Sequence, residues 1–238
     1  MSDKHIVSAF DRDLEDIQSA MLTMGELVQA ALTDAAQALK TSDSAMAEKI
    51  RKGDRLIDGL DQTVKTETAK LLALRSPTAG DLRTVLSVME ISSHLERCGD
   101  YAKNISKRTI AMAESDEIEG SLSALVRMTA FVVEMITDAL DAYVKRDLTK
   151  AKEIIERDVE ADQIYNTLFR SLLTHMMEDP RKIAVGMHLH FIAKNIERVG
   201  DHATGIAEQS IYLITGEMPD DERPKLDSSS LGLVESDD

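Results

Sequence analysis

Apolar residues recur three and four positions apart along almost the whole chain, and the few interruptions mark its joints. From about Ser8 to Lys40, Leu14, Ile17, Met21, Met24, Val28, Ala31, Leu32, Ala35 and Leu39 form one face of an amphipathic helix. Ser42-Asp43-Ser44 supplies capping residues, and a second helix to about Leu74 carries Ile50, Ile57, Leu60, Val64, Leu71 and Leu74. Ser76 and Pro77 read as the N-cap and first residue of a third helix, ending near Ala113. Its inward set is Leu82, Val85, Val88, Ile91, Leu95, Cys98, Ala102 and Ile105.

After an acidic, glycine-containing link the order begins again. A fourth helix carries Leu125, Met128, Val132, Met135, Ile136, Ala139, Leu140 and Tyr143. Asp147 repeats the part of Asp43 before a fifth helix, from about Leu148 to Met177. Asp179-Pro180 repeats Ser76-Pro77 before a sixth, to about Thr215, with Phe191, Ile192, Ile196, Val199, Ala203 and Ile206 inward. The two prolines of the helical body thus stand at equivalent joints. The pattern predicts an all-α fold of two tandem, pseudo-symmetric three-helix bundles with six long helices. The expected organisation is a first repeat over 1–113, a linker over 114–120, a second repeat over 121–216 and an acidic disordered tail over 217–238.

Composition narrows the function. A net charge of -15 argues against nucleic-acid binding, which needs a basic field, and suits a cation or a basic partner. The one cysteine, Cys98, leaves no intramolecular disulfide and points to a reducing compartment. No apolar run approaches the roughly 20 residues that span a bilayer, so the expectation is a cytoplasmic protein that meets a membrane only through partners.

The candidate chemistry lies in repeated carboxylates. Glu96-Arg97-Cys98-Gly99-Asp100 returns as Glu197-Arg198-Val199-Gly200-Asp201. Aligning the halves exposes a second repeated pair, Asp54 with Asp58 and Asp158 with Asp162. Each pair is spaced i, i+4, one above the other on a helix face. The stretch from Asp58 to Pro77 is as long as that from Pro77 to Glu96, and Asp162 to Asp179 is as long as Pro180 to Glu197. Antiparallel neighbours therefore bring four carboxylates level in each half. A single such pair in an acidic protein is ordinarily part of a solvated face. Four like charges at one level need a compensating cation, and oxygen-only ligation suits a hard or borderline metal ion. Gly99 and Gly200, on the same turn, leave room for a close neighbour.

Other candidates carry less. His188 and His190 are two apart and point to different sides of a helix, while His94 and His202 read as ordinary boundary residues. Cys98 aligns with Val199 and reads as a small core residue, and the methionines read as core filler. No P-loop, dinucleotide fingerprint, Ser/His/Asp set or zinc-type Cys/His spacing is present, nor the Glu-x-x-His ligands of di-iron bundles. A metal-dependent hydrolase or metal-storage bundle using the same carboxylates is the alternative to an adaptor.

Ala79-Gly80-Asp81-Leu82-Arg83, Leu95-Glu96-Arg97-Cys98-Gly99-Asp100 with Asn104, and Asn195-Ile196-Glu197-Arg198-Val199-Gly200-Asp201-His202-Ala203 through Ile206-Ala207-Glu208 resemble the PhoU family of phosphate-signalling regulators. The resemblance spans about Ser8 to Thr215. It implies multinuclear metal clusters, iron first with zinc or manganese as the other choices, held by Glu96/Asp100, Glu197/Asp201, Asp54/Asp58 and Asp158/Asp162. It also implies a non-enzymatic, cytoplasmic negative regulator of the phosphate-starvation response, often a homodimer. Such a protein links the ATPase subunit of the high-affinity phosphate ABC transporter to a sensor histidine kinase beside the inner membrane. Cys98 departs from the aliphatic residue more usual in the family, and Gly205 stands where the family often has Asn.

Overall fold

The computed structural model describes residues 2–75, 79–114 and 118–219. Ser76 and Pro77, residues 115–117 of the expected linker and most of the expected tail lie outside them. The elements are α1 (Ser2–Thr41), α2 (Ser44–Arg75), α3 (Ala79–Ala111), α4 (Ser121–Lys145), α5 (Leu148–Glu178) and α6 (Ile183–Thr215). The 3-10 turn Pro180–Lys182 precedes α6, so the sixth helix starts later than the proline suggests.

The joints form for the reasons expected of their residues. Asp43 accepts a hydrogen bond from the Met46 backbone N–H at 2.9 Å, and Asp147 from that of Lys150 at 3.0 Å. Asp179 caps the proline turn, accepting from the Arg181 N–H at 3.1 Å. In the link, Ile118 is fully buried, and its carbonyl accepts from the Ser121 hydroxyl at 2.7 Å. Ile118 thereby pins the start of α4 to the core.

Within each half the three helices pack on one another, and the halves join along α1 with α4 and α3 with α6. These four make the centre, with α2 and α5 on the flanks. Both junctions are antiparallel. Gln18 donates to the Tyr143 hydroxyl at 2.8 Å while Thr137, nearer the start of α4, donates to Gln29, nearer the end of α1, at 2.9 Å. His94 meets His202, and Arg108, further along α3, meets His188, nearer the start of α6.

A single hydrophobic cluster runs through both halves, with Met21, Met24, Leu95, Met135, Ile136, Ile192 and Ile196 all fully buried. Burying one such side chain contributes about 1.5–3 kcal/mol, so neither half keeps its full core without the other. Three residues expected inward are exposed: Leu82 (37%), Leu74 (68%) and Phe191 (42%). Leu74 and Leu82 lie in terminal turns at the α2–α3 joint, where the helices run past the shared core. Phe191 lies under the Arg108 guanidinium, 4.3 Å from its ring centre.

Candidate functional site

In the first half, Asp54 and Asp58 project from α2 and Glu96 and Asp100 from α3. The two helices approach closely where Gly99 stands, since a methyl there would lie 3.0 Å from Ile57 Cδ1 and 3.4 Å from Asp54 Oδ1. Asp54 is buried at 4% exposure, Glu96 and Asp100 are half-buried, and Asp58 is exposed. The cation between the helices is Lys103. Its Nζ lies 2.5 Å from Asp54 Oδ2 and 3.2 Å from Asp100 Oδ1. The hydrogen bond to Asp54, followed by that to Asp100, holds the ammonium well above its ordinary pKa.

Electrostatic crowding persists around that ion pair. Burial, then the Asp100 charge, raises the Glu96 carboxyl, and Arg97 Nε at 3.7 Å offsets this in part. Burial, then Asp54, raises Asp58. Asp54 Oδ1 is buried with no hydrogen-bond partner among the described residues.

The second half repeats the arrangement with a different cation. Gly200 packs beside α5, where a methyl would lie 3.6 Å from Asp158 Oδ1 and 3.5 Å from Ala161 Cβ. Glu197 is buried at 8% exposure, while Asp158, Asp162 and Asp201 are half-buried. Lys194 Nζ lies 2.7 Å from Glu197 Oε1, and Glu197 Oε2 is buried without a hydrogen-bond partner among the described residues. Burial raises the Glu197 carboxyl, with Asp201 and Asp162 adding to it against the pull of Lys194. Thr204 takes the place of Lys103 here and donates to the Gly200 carbonyl at 3.2 Å.

Three members of these patches escape a reading of acidic pairs. Asp61, two helical turns after Asp54, is buried; it accepts from Ser92 Oγ at 2.8 Å and pairs with Lys65 at 2.7 Å. Lys103 and Lys194 stand three residues from Asp100 and Glu197, a spacing that brings side chains together on a helix. His94 and His202 are not the unrelated boundary residues expected. Their Nδ1 atoms are 2.9 Å apart across the α3–α6 seam, with the Tyr101 ring tilted against His202 at 5.6 Å. Tyr101 and His202 are equivalent positions of the two halves, so they meet where the repeats face each other. Cys98 is fully buried, and burial pushes its thiol pKa far up, which fits a core residue and not a nucleophile.

Among the described residues no three His, Cys, Asp or Glu side chains converge as one metal site. The donor chemistry nevertheless suits a hard cation. Each half holds carboxylate oxygens on two adjacent helices and one buried carboxylate oxygen with an unused lone-pair face.

The class defined by these features is a helical bundle built twice from one three-helix unit, carrying a carboxylate patch in each copy. A family model described as "PhoU domain" matches residues 21–109 and 125–210. The chain is 43% identical over 235 residues, 98% of its length and 99% of the relative's, to the phosphate-specific transport system accessory protein PhoU homolog of Rhizobium meliloti. It is 40% identical to the Caulobacter vibrioides homolog, covering 94% of this chain and 97% of that one. The crystal structure of PhoU from Pseudomonas aeruginosa superimposes with a TM-score of 0.84 at 36% identity, over 87% of this chain and all of that one. The phosphate transport system regulatory protein PhoU from Streptococcus pneumoniae gives 0.82 at 33% identity, over 89% and 99%. The chain belongs to the PhoU family, whose members are accessory and regulatory proteins and not enzymes.

Proposed function

We propose that this protein is a negative regulator of the phosphate-starvation response, an adaptor between the ATPase subunit of a phosphate ABC transporter and a sensor histidine kinase. Family membership over nearly the whole chain is the observation that carries the reading. The absence of a helix long and apolar enough to cross a membrane, among the described residues, is compatible with attachment through those partners. A homodimer is the proposed working form.

The adaptor also binds metal. Asp54, Asp58, Glu96 and Asp100 hold one cluster, and Asp158, Asp162, Glu197 and Asp201 the other, with iron the first choice and zinc or manganese the others. The metal supplies positive charge that the crowded carboxylates lack. At the first patch it takes the place of the Lys103 ammonium, and at the second it engages the Glu197 oxygen that Lys194 leaves unpaired. This chain's own residues set the height and spacing of the donors, through the close α2–α3 and α5–α6 approaches at Gly99 and Gly200.

Two measurements test the proposal. Deleting the gene should derepress phosphate-responsive transcription in phosphate-rich medium; unchanged transcription rejects the regulatory reading. Elemental analysis of the purified protein should find metal that Asp54→Asn/Asp100→Asn and Glu197→Gln/Asp201→Asn each reduce; equal metal in the folded variants rejects the ligand assignment.

A further inference from the structure

Apart from the carboxylate patches, the seam between α3 and α6 opens at one end into a cleft of about 540 Å³. Lys107 and Arg108 of α3 and Lys194 and Arg198 of α6 line it, with His188 and His190 beside them, and none of the described residues in its walls is a carboxylate. That is a local inversion of sign in a chain of net charge -15.

These cations are gathered without full compensation. Among the described residues Lys107, Arg108 and Arg198 form no ion pair; only Lys194 has one, to Glu197. Neutral groups hold the others. Arg108 donates to His188 Nδ1 at 3.5 Å and covers the Phe191 ring, Lys107 reaches Asn104 Oδ1 at 3.5 Å, and the Arg198 charge lies near the Tyr101 hydroxyl. Among the described residues His190 Nδ1 is buried with no hydrogen-bond partner. Burial, then the Lys194 and Arg108 charges, holds the His190 ring below its ordinary value. Like charges held together in a partly dehydrated cleft raise the energy of the empty site and favour an anion within it.

The internal repeat provides a control. In the alignment that pairs Glu96 with Glu197, the equivalents of Lys107, Arg108 and Lys194 are Glu208, Gln209 and Ser93, and that of Phe191 is Glu90. At that other end of the seam His94 packs onto Gly205, where a methyl would clash with the imidazole ring. The duplicated architecture therefore does not require a basic cleft. One end has three further cations and stays open, while the other keeps only Arg97, the equivalent of Arg198, among acidic and neutral residues and is filled by an imidazole.

We propose that this cleft binds a phosphate-bearing small molecule, its phosphoryl oxygens held by Arg108, Lys107 and Lys194. Guanidinium and ammonium donors on two facing helices match a tetrahedral oxyanion, the Arg fork supplying paired N–H groups. The cleft is larger than an orthophosphate ion and lies in the range of small-ligand pockets, and Phe191 with Asn195 supplies apolar and amide wall for the remainder of a ligand.

Calorimetric titration of the full chain in excess chelator, which removes any metal from the carboxylate patches, tests this with orthophosphate and ADP as probes. At least one probe should bind, and Arg108→Gln and Lys107→Gln should each weaken it, Arg108→Gln by about tenfold or more. Lys152→Gln, on α5 and away from the cleft, should leave binding unchanged. Tighter binding of ADP assigns the rest of the cleft to an organic moiety; equal or tighter binding of orthophosphate assigns the inorganic ion. Circular dichroism checks the fold, and Lys107, exposed on α3, carries the test if Arg108→Gln unfolds. Binding of neither probe, wild-type affinity in the folded variants, or displacement by an equal concentration of chloride overturns the proposal. Its outcome does not depend on gene regulation or on metal content.

Discussion

Lys103 reaches from α3 across to Asp54 on α2, placing its ammonium 2.5 Å from a carboxylate that is otherwise almost wholly buried. Removing it leaves Asp54 and Asp100 without the cation between them. Lys103→Ala should lower stability by roughly 1–3 kcal/mol in the presence of chelator, because an uncompensated charge is left partly dehydrated. The pair raises the lysine pKa, so its contribution is complete below the unfolded value of 10.5 and is lost only as pH rises through the higher folded value. The deficit should therefore be flat from mildly acidic to mildly alkaline pH. Urea melts at several pH values check this, and equal midpoints for the two proteins would show that Lys103 compensates nothing.

The same patch predicts a gain from a loss of charge. Burial, then Asp100, raises the Glu96 carboxyl above its ordinary value of 4.5, so the folded state binds that proton more tightly than the unfolded chain does. Ionised Glu96 then costs stability above the folded value, and the cost fades as pH falls toward 4.5. Glu96→Gln should raise the melting temperature of chelator-treated protein at neutral pH, with the advantage vanishing in acid. With metal present the order should reverse, since the variant lacks a ligand. A variant no more stable than wild type at neutral pH in chelator would refute the crowding argument.

Three glycines should respond differently to alanine. At Gly200 the nearest atoms would lie at 3.5 Å or beyond, ordinary contact, so Gly200→Ala should be tolerated or gain up to about 1 kcal/mol from helix propensity. At Gly99 the new methyl meets Ile57 at 3.0 and 3.2 Å, and overpacking of this kind costs about 1–3 kcal/mol. Gly205→Ala should cost the most, because the His94 ring occupies the space. Thermal melts rank the three, and a Gly200→Ala penalty equal to that of Gly205→Ala would contradict the packing described.

One shared core implies one unfolding event. Urea denaturation followed by circular dichroism and by tyrosine fluorescence should give a single coincident transition, with Leu95→Ala lowering it by about 2–5 kcal/mol as a whole. Two resolved transitions would mean that each half folds alone.

The sequence by itself determined the helices, their order and the duplication. Helix-period spacing, aspartate caps and proline joints are local rules, satisfied by residues a few positions apart, and they predicted six helices of nearly the observed extents. It also placed the carboxylate pairs level, because equal arm lengths around a tight joint leave little freedom. Only the tertiary structure decided how the halves meet. Contacts between α1 and α4 and between α3 and α6 join residues about a hundred positions apart, and no periodicity records them. From that meeting come the shared core, the His94–His202 pair and the basic cleft. The compensating cations were likewise undetermined, since Lys103 and Lys194 occupy inequivalent positions in the two repeats, and a lysine becomes a counter-ion only where packing brings a buried carboxylate within reach.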